Sequence, residues 1–210
     1  STLADGSTTT FMFGRAEFSK EGEYTFTVTE KDGGKAGMTY DDNEKVLKVK
    51  VAKKNGVMTA VQKETPAFRN TYEAAGEYTP EGTKTLLSEK KNKLTIKAGE
   101  FKFSVYYAGH EDQKPVTTGV TTSGKDAAIH FGTLSYTVSD LEKLVAKGYA
   151  AKTAKDDGAE YSINYVVTEN TTDNSALQQN TQSTPFRVVV KDNAGGKLSV
   201  ESGTGKKLDF

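Results

Sequence analysis

The chain has 210 residues, with 28 lysines and arginines balancing 28 aspartates and glutamates. A field that sums to zero gives no argument for nucleic acid or an anionic membrane. The lack of cysteine excludes a disulfide framework and a thiolate metal site. The length suits one large or two modest domains, and no apolar run approaches the roughly eighteen residues of a membrane span. No signal peptide or sorting motif is legible, as expected of an internal piece of a mature protein.

Glycine, threonine, valine, tyrosine and phenylalanine are plentiful, which suits short strands joined by glycine-rich turns. The first predicted strands are FMFGRAEF (11–18) and EYTFTVTE (23–30). KVLKVKVA (45–52) follows, with Leu47, Val49 and Val51 in phase. Asn55-Gly56 is the dipeptide that favours a two-residue hairpin turn into VMTAVQ (57–62). AFRNTY (67–72) ends this series.

A second series begins with GTKTLL (82–87) and KLTIK (93–97). EFKFSVYY (100–107), AAIHFGTLSY (127–136), EYSINYVVTE (160–169), PFRVVVK (185–191) and KLSVES (197–202) complete it. One helix is expected at about 140–147. Ser139 and Glu142 make a capping-box pattern, Leu141, Leu144 and Val145 have helical spacing, and Gly148 offers a stop.

The two series are one repeat seen in overlapping parts. FMFGRAEFS aligns with IHFGTLSYT, Glu30 with Glu169, VLKVKVAKKNGVMTAV with FRVVVKDNAGGKLSV, and Phe68 with Phe210. The expected units are residues 1–77, without opening strands, and 78–210, which stops just short of the place matching Asn70. The fold class expected is all-β, built of immunoglobulin-like sandwiches in tandem with one short inserted helix.

Alternate side chains of a strand share a face. Tyr24, Phe26 and Val28 therefore share theirs with Glu30, and Tyr161, Ile163, Tyr165 and Val167 share theirs with Glu169. Asn70 falls in phase with Phe68 and Tyr72, and Lys84 with Leu86. An isolated buried ion costs several kcal/mol, so a buried lysine or glutamate tends to neutralise. A neutral amine is a nucleophile, and a glutamic acid can polarise an amide and carry protons. Beside an asparagine carboxamide, the pair can form a Lys–Asn isopeptide bond with loss of ammonia. The competing reading makes Glu30 and Glu169 frayed strand ends, Asn70 an edge residue and Lys84 an ordinary surface lysine.

The run GTKTL, AGEFKFSVYY, HFGTLSY, YVVTE and FRNTY resembles the isopeptide-linkage domains of Gram-positive surface proteins. These are found in sortase-assembled major pilins and in the stalk repeats of wall-anchored adhesins. The resemblance implies a structural repeat of a cell-surface pilus or stalk, packed against neighbouring subunits of the same surface protein. It makes Lys84 the linking lysine, Asn70 the linking asparagine, and Glu30 and Glu169 the assisting acids. Lys84 and Glu169 belong to one repeat and Glu30 and Asn70 to the other. Each set therefore needs a partner from a longer parent chain or from another copy.

No cofactor or metal is expected. His110 and His130 make no convincing metal pair, and no serine has a nucleophile-elbow context. The acidic loops 40–44 and 154–160 fit no EF-hand spacing and read as solvated turns. An alternative function is a ligand-binding adhesin module. It would meet a host protein or glycan through the polar loops 108–120 or 168–183. An enzyme acting on a separate substrate is not expected.

Overall fold

The computed structural model describes residues 8–170, 177, 180–205 and 207–210. Contacts divide the chain into two compact units, Ser1–Gly33 with Tyr40–Asn70, and Gly34–Thr39 with Thr71–Phe210. The expected boundary lay at 77/78. The segment joining the two repeats instead belongs to the second unit. There β2 (Met38–Thr39) pairs with β5 (Thr71–Tyr72), and β6 (Ala75–Tyr78) follows.

The first unit is an antiparallel sheet of three strands. β3 (Lys45–Lys54) lies between β1 (Gly22–Val28) and β4 (Val57–Gln62). Asn55 and Gly56 both have positive φ, 52° and 84°, so the hairpin closes through the two-residue turn that this dipeptide favours. Tyr24, Phe26 and Val28 pair with Val49, Leu47 and Lys45. One face of the sheet thus carries the apolar row, yet Phe26 remains 39% exposed and only Val28 and Val51 are buried there.

The expected strand at 11–18 does not form. Phe11, Met12 and Phe13 are consecutive rather than alternating, so no register places them all on one face. All three stay exposed, and Phe11 rests its ring near Phe68, 6.2 Å away. AFRNTY likewise contributes only Thr71–Tyr72 as strand.

The second unit is built on one long sheet whose strands run β16-β15-β14-β9-β10-β11-β7-β17. In chain order these are β7 (Glu81–Leu87), β9 (Lys102–Tyr107), β10 (Thr117–Thr121), β11 (Asp126–Phe131), β14 (Gly158–Glu169), β15 (Thr184–Asp192), β16 (Leu198–Ser202) and β17 (Leu208–Asp209). Neighbours are antiparallel except β17, which runs parallel to β7. Short β8 (Lys93–Leu94) pairs with β7, β12 (Leu134–Thr137) with β6, and β13 (Ala150–Lys155) with β14.

The sheet curls on itself, giving the sandwich-like all-β architecture expected from the strand-rich sequence. Phe103, Val105, Ile129, Tyr161, Ile163, Tyr165, Val167, Val188 and Val190 fill the curl. The inward row of β7 is Gly82, Lys84 and Leu86, while Leu87 on the other row is 52% exposed.

The inserted helix, α1 (Val138–Ala146), starts two residues earlier than expected. Its cap is Thr137, whose Oγ1 accepts the Asp140 N–H at 3.1 Å, so Ser139 lies inside the first turn. Glu142 does not close a capping box and instead meets Tyr161 and Lys152. Gly148, with φ 76°, ends the helix. Among the described residues no helix is long and apolar enough to cross a membrane.

The loop expected at 108–120 contains the start of β10, and the acidic stretch 154–160 is the β13–β14 hairpin. His110 lies against Tyr149, ring centroids 4.2 Å apart, and His130 sits on the exposed row of β11. Most of residues 171–179, within the loop expected at 168–183, lie outside the described residues.

Candidate functional site

β7 and β14 lie on separate arms of the curled sheet, and their inward rows meet across the core. Lys84 reaches Glu169 there, with Nζ 2.7 Å from Oε2 and side chains only 7% and 1% exposed. The Phe101 ring covers the amine, its centroid 4.9 Å from Nζ. Glu169 pairs with Phe103 in the ladder, and Phe103 in turn packs against Phe210 at 4.8 Å. The second carboxylate oxygen of Glu169, Oε1, is buried and has no hydrogen-bond partner. A buried acceptor left this way costs about 1–3 kcal/mol.

Beside this pair lies β17. The Phe210 N–H donates to the Thr83 carbonyl and the Thr85 N–H to the Phe210 carbonyl, at 3.0 and 2.8 Å. The chain around Phe210 is thus hydrogen-bonded on both sides of Lys84. In the repeat alignment Phe210 matches Phe68, two residues ahead of Asn70.

The first unit holds the other pair. Asn70 Nδ2 donates to Glu30 Oε1 at 2.8 Å. Glu30 Oε2 is buried without a partner, as Glu169 Oε1 is. Asn70 itself is exposed, unlike the interior position expected for it. Among the described residues no further strand joins the three-stranded sheet of this unit; on its apolar row the Phe18 ring lies 4.7 Å from Tyr24 and 6.4 Å from Phe26.

Asp41 completes this second constellation, and sequence reasoning missed it. Its main-chain N–H donates to Asn70 Oδ1 at 2.9 Å. Its carboxylate accepts the Asn43 N–H, the Asn43 side-chain amide and the Arg69 N–H, and pairs with Lys45 Nζ at 2.9 Å. The Lys45 ammonium, with these donors, holds the Asp41 carboxyl well below the usual carboxylate range. The run YDDNE read as a solvated acidic turn. The usable signal was an aspartate two residues ahead of an asparagine at the mouth of a strand, where side chains close a turn on the backbone.

The four residues singled out from sequence are therefore joined as Lys84 with Glu169 and Glu30 with Asn70. In each pair the glutamate spends one oxygen on its partner and keeps the other buried and unsatisfied.

Residues 1–73 and 80–210 match the family FctA, described as the Spy0128-like isopeptide containing domain. The chain belongs to this family. FctA domains are pilin-type structural domains of Gram-positive surface proteins, and the all-β architecture agrees with that membership. Comparison with curated proteins and with solved structures found no match.

Proposed function

We propose that the chain is a structural repeat of a bacterial surface pilus or adhesin stalk, and that each unit is locked by a Lys–Asn isopeptide bond made with the help of its glutamate. The observation that carries this reading is the half-filled carboxylate in each unit. Glu169 holds a lysine and has an oxygen left for a carboxamide. Glu30 holds a carboxamide and has an oxygen left for an amine. Each pair is half of the same set, completed by a strand from elsewhere in a parent chain or from another copy.

The chemistry follows from the contacts. At 2.7 Å a proton can pass from the Lys84 ammonium to Glu169, leaving a nucleophilic amine beside an acid. The amine nitrogen attacks the carboxamide carbon, the carbon–nitrogen bond of the amide breaks, and the glutamate delivers the proton with which ammonia departs. Pre-oriented reactants of this kind can supply about 7–11 kcal/mol of the barrier. The reaction is a single self-modification and needs no cofactor, metal or separate substrate.

Such a link joins the first strand of a unit to its last. By analogy with a cross-link closing a loop of about a hundred residues, it contributes about 4–5 kcal/mol. It also carries tension past the ladder, which suits a cysteine-free protein working in a pulled fibre with neighbouring subunits on either side.

Intact mass tests the reading on a longer chain that includes complete units. One ammonia should be missing per complete set, and Glu169→Ala or Lys84→Ala should restore it. A mass equal to the plain sequence in the unsubstituted protein would reduce the chain to an ordinary β-sandwich repeat.

A further inference from the structure

Attack on an amide places negative charge on its oxygen, so a donor aimed at that oxygen accelerates the reaction. We propose that the main-chain N–H of Asp41 is this donor for Asn70, held on target by the side chain of the same residue. The proposal rests on the reading of Asn70 as the group attacked.

The hydrogen bonds fix which way the carboxamide faces. Oδ1 meets an N–H, from Asp41 at 2.9 Å, and Nδ2 meets a carboxylate, Glu30, at 2.8 Å. The reverse orientation would set oxygen against oxygen and N–H against N–H. The nitrogen that must leave therefore sits on the acid that can protonate it, and the oxygen that gains charge sits on a dipole. An incoming amine forms a bond to Cγ and gives its proton to Glu30. Glu30 passes a proton to Nδ2, the Cγ–Nδ2 bond breaks, and ammonia leaves.

Asp41 is built to hold this geometry. One carboxylate oxygen closes a turn onto the Asn43 N–H, and the other takes the Arg69 N–H next door to Asn70. The residue thus grips the Arg69–Asn70 segment twice, once through its side chain and once through its backbone. The second unit repeats the turn. The step along the chain that carries Glu30 to Glu169 also carries the ladder pair Val28–Lys45 onto the ladder pair Val167–Thr184, and it carries Asp41 to Asn180. There Asn180 Oδ1 accepts the Gln182 N–H at 3.1 Å, as Asp41 Oδ1 accepts that of Asn43. The turn closes on a side-chain oxygen in both units, acid in one and amide in the other, so the turn that presents the Asp41 N–H does not depend on a carboxylate charge.

The present chain can be tested with n-butylamine standing in for the lysine side chain, because Asn70 is exposed. The product is a butylamide at Asn70 with release of ammonia, followed by peptide mapping. Asn70 should react ahead of the other asparagines, and Glu30→Gln should abolish that preference. Asp41→Pro, which removes the N–H, should slow the reaction about 10²–10³-fold. Asp41→Asn, which keeps the N–H and the turn, should react at least about tenfold faster than Asp41→Pro.

Equal rates for Asp41→Pro and the unsubstituted chain, with Glu30→Gln inactive, would overturn the donor role and leave the isopeptide reading standing. No preference for Asn70 in the unsubstituted chain would overturn both. Should Asp41→Pro fail to fold, scalar coupling across the hydrogen bond from the Asp41 amide nitrogen to Asn70 Cγ decides. Its presence supports the donor, and its absence removes it.

Discussion

A lysine and a glutamate that exclude water together form a unit that resists being halved. Lys84 and Glu169 are 7% and 1% exposed at 2.7 Å, so Glu169→Ala would strand an amine under the Phe101 ring. Breaking a buried pair costs about 3–5 kcal/mol, whereas replacing both partners by apolar groups is often neutral. Urea denaturation should therefore show Glu169→Ala and Lys84→Ala each strongly destabilised, and Lys84→Met with Glu169→Leu close to the unsubstituted chain. A double variant as unstable as the sum of the singles would mean that the two side chains do not act as a pair.

Asp41 offers a different handle at the same scale. Its folded pKa lies below the unfolded value of about 3.9, so its stabilisation is complete above about pH 4 and fades as pH falls through the folded value. In a carboxyl titration Asp41 should stay ionised near pH 3, after the exposed aspartates have begun to protonate. The stability gap between the unsubstituted chain and Asp41→Asn should shrink over the same interval.

Among the elements, legibility followed periodicity. VMTAVQ matches β4 residue for residue, and β14 and β15 lie within a residue or two of the expected spans, because an alternating apolar row specifies its own register. β10 and β13 were missed: Thr117–Thr121 and Ala150–Lys155 carry little apolar alternation and are held by ladders to β9, β11 and β14 instead. Phase placed Lys84 and Glu169 on the inward rows of β7 and β14, where their side chains lie, but it failed for Asn70, which falls outside any strand and is exposed. Asp41 was not readable from phase, because its contribution is made by a backbone N–H that every residue except proline has.

β10 also shows how closely the elements are fitted. A Cβ on Gly119 would stand 2.6 Å from the Phe131 ring and 2.9 Å from Ile129 Cγ2, so the strand crosses the core on a residue without a side chain. Gly119→Ala should cost about 1–3 kcal/mol through displacement of Phe131. Thermal denaturation and the near-ultraviolet signal of the aromatic core should both register it, and an unchanged melting curve would show that Phe131 can yield freely.

Across the whole molecule the two units differ in how much apolar surface they bury. The second has one continuous core from Ala74 to Leu208, while among the described residues of the first only Val28 and Val51 are buried hydrophobics. Apolar burial contributes roughly 25 cal/mol per Å², and local opening energies follow it. The amides of β1, β3 and β4 should therefore exchange with deuterium well before those of β9, β14 and β15, by a factor of at least about ten. Heating should release the first unit in a separate, earlier transition. Joining Asn70 to an amine-bearing strand would cover Tyr24, Phe26, Leu47 and Val49, and protection of β1 and β3 should then rise towards that of β14. Equal protection of β3 and β14 in the chain as it stands would mean that this face is already covered in solution, and the half-set reading of Glu30 and Asn70 would lose its open side.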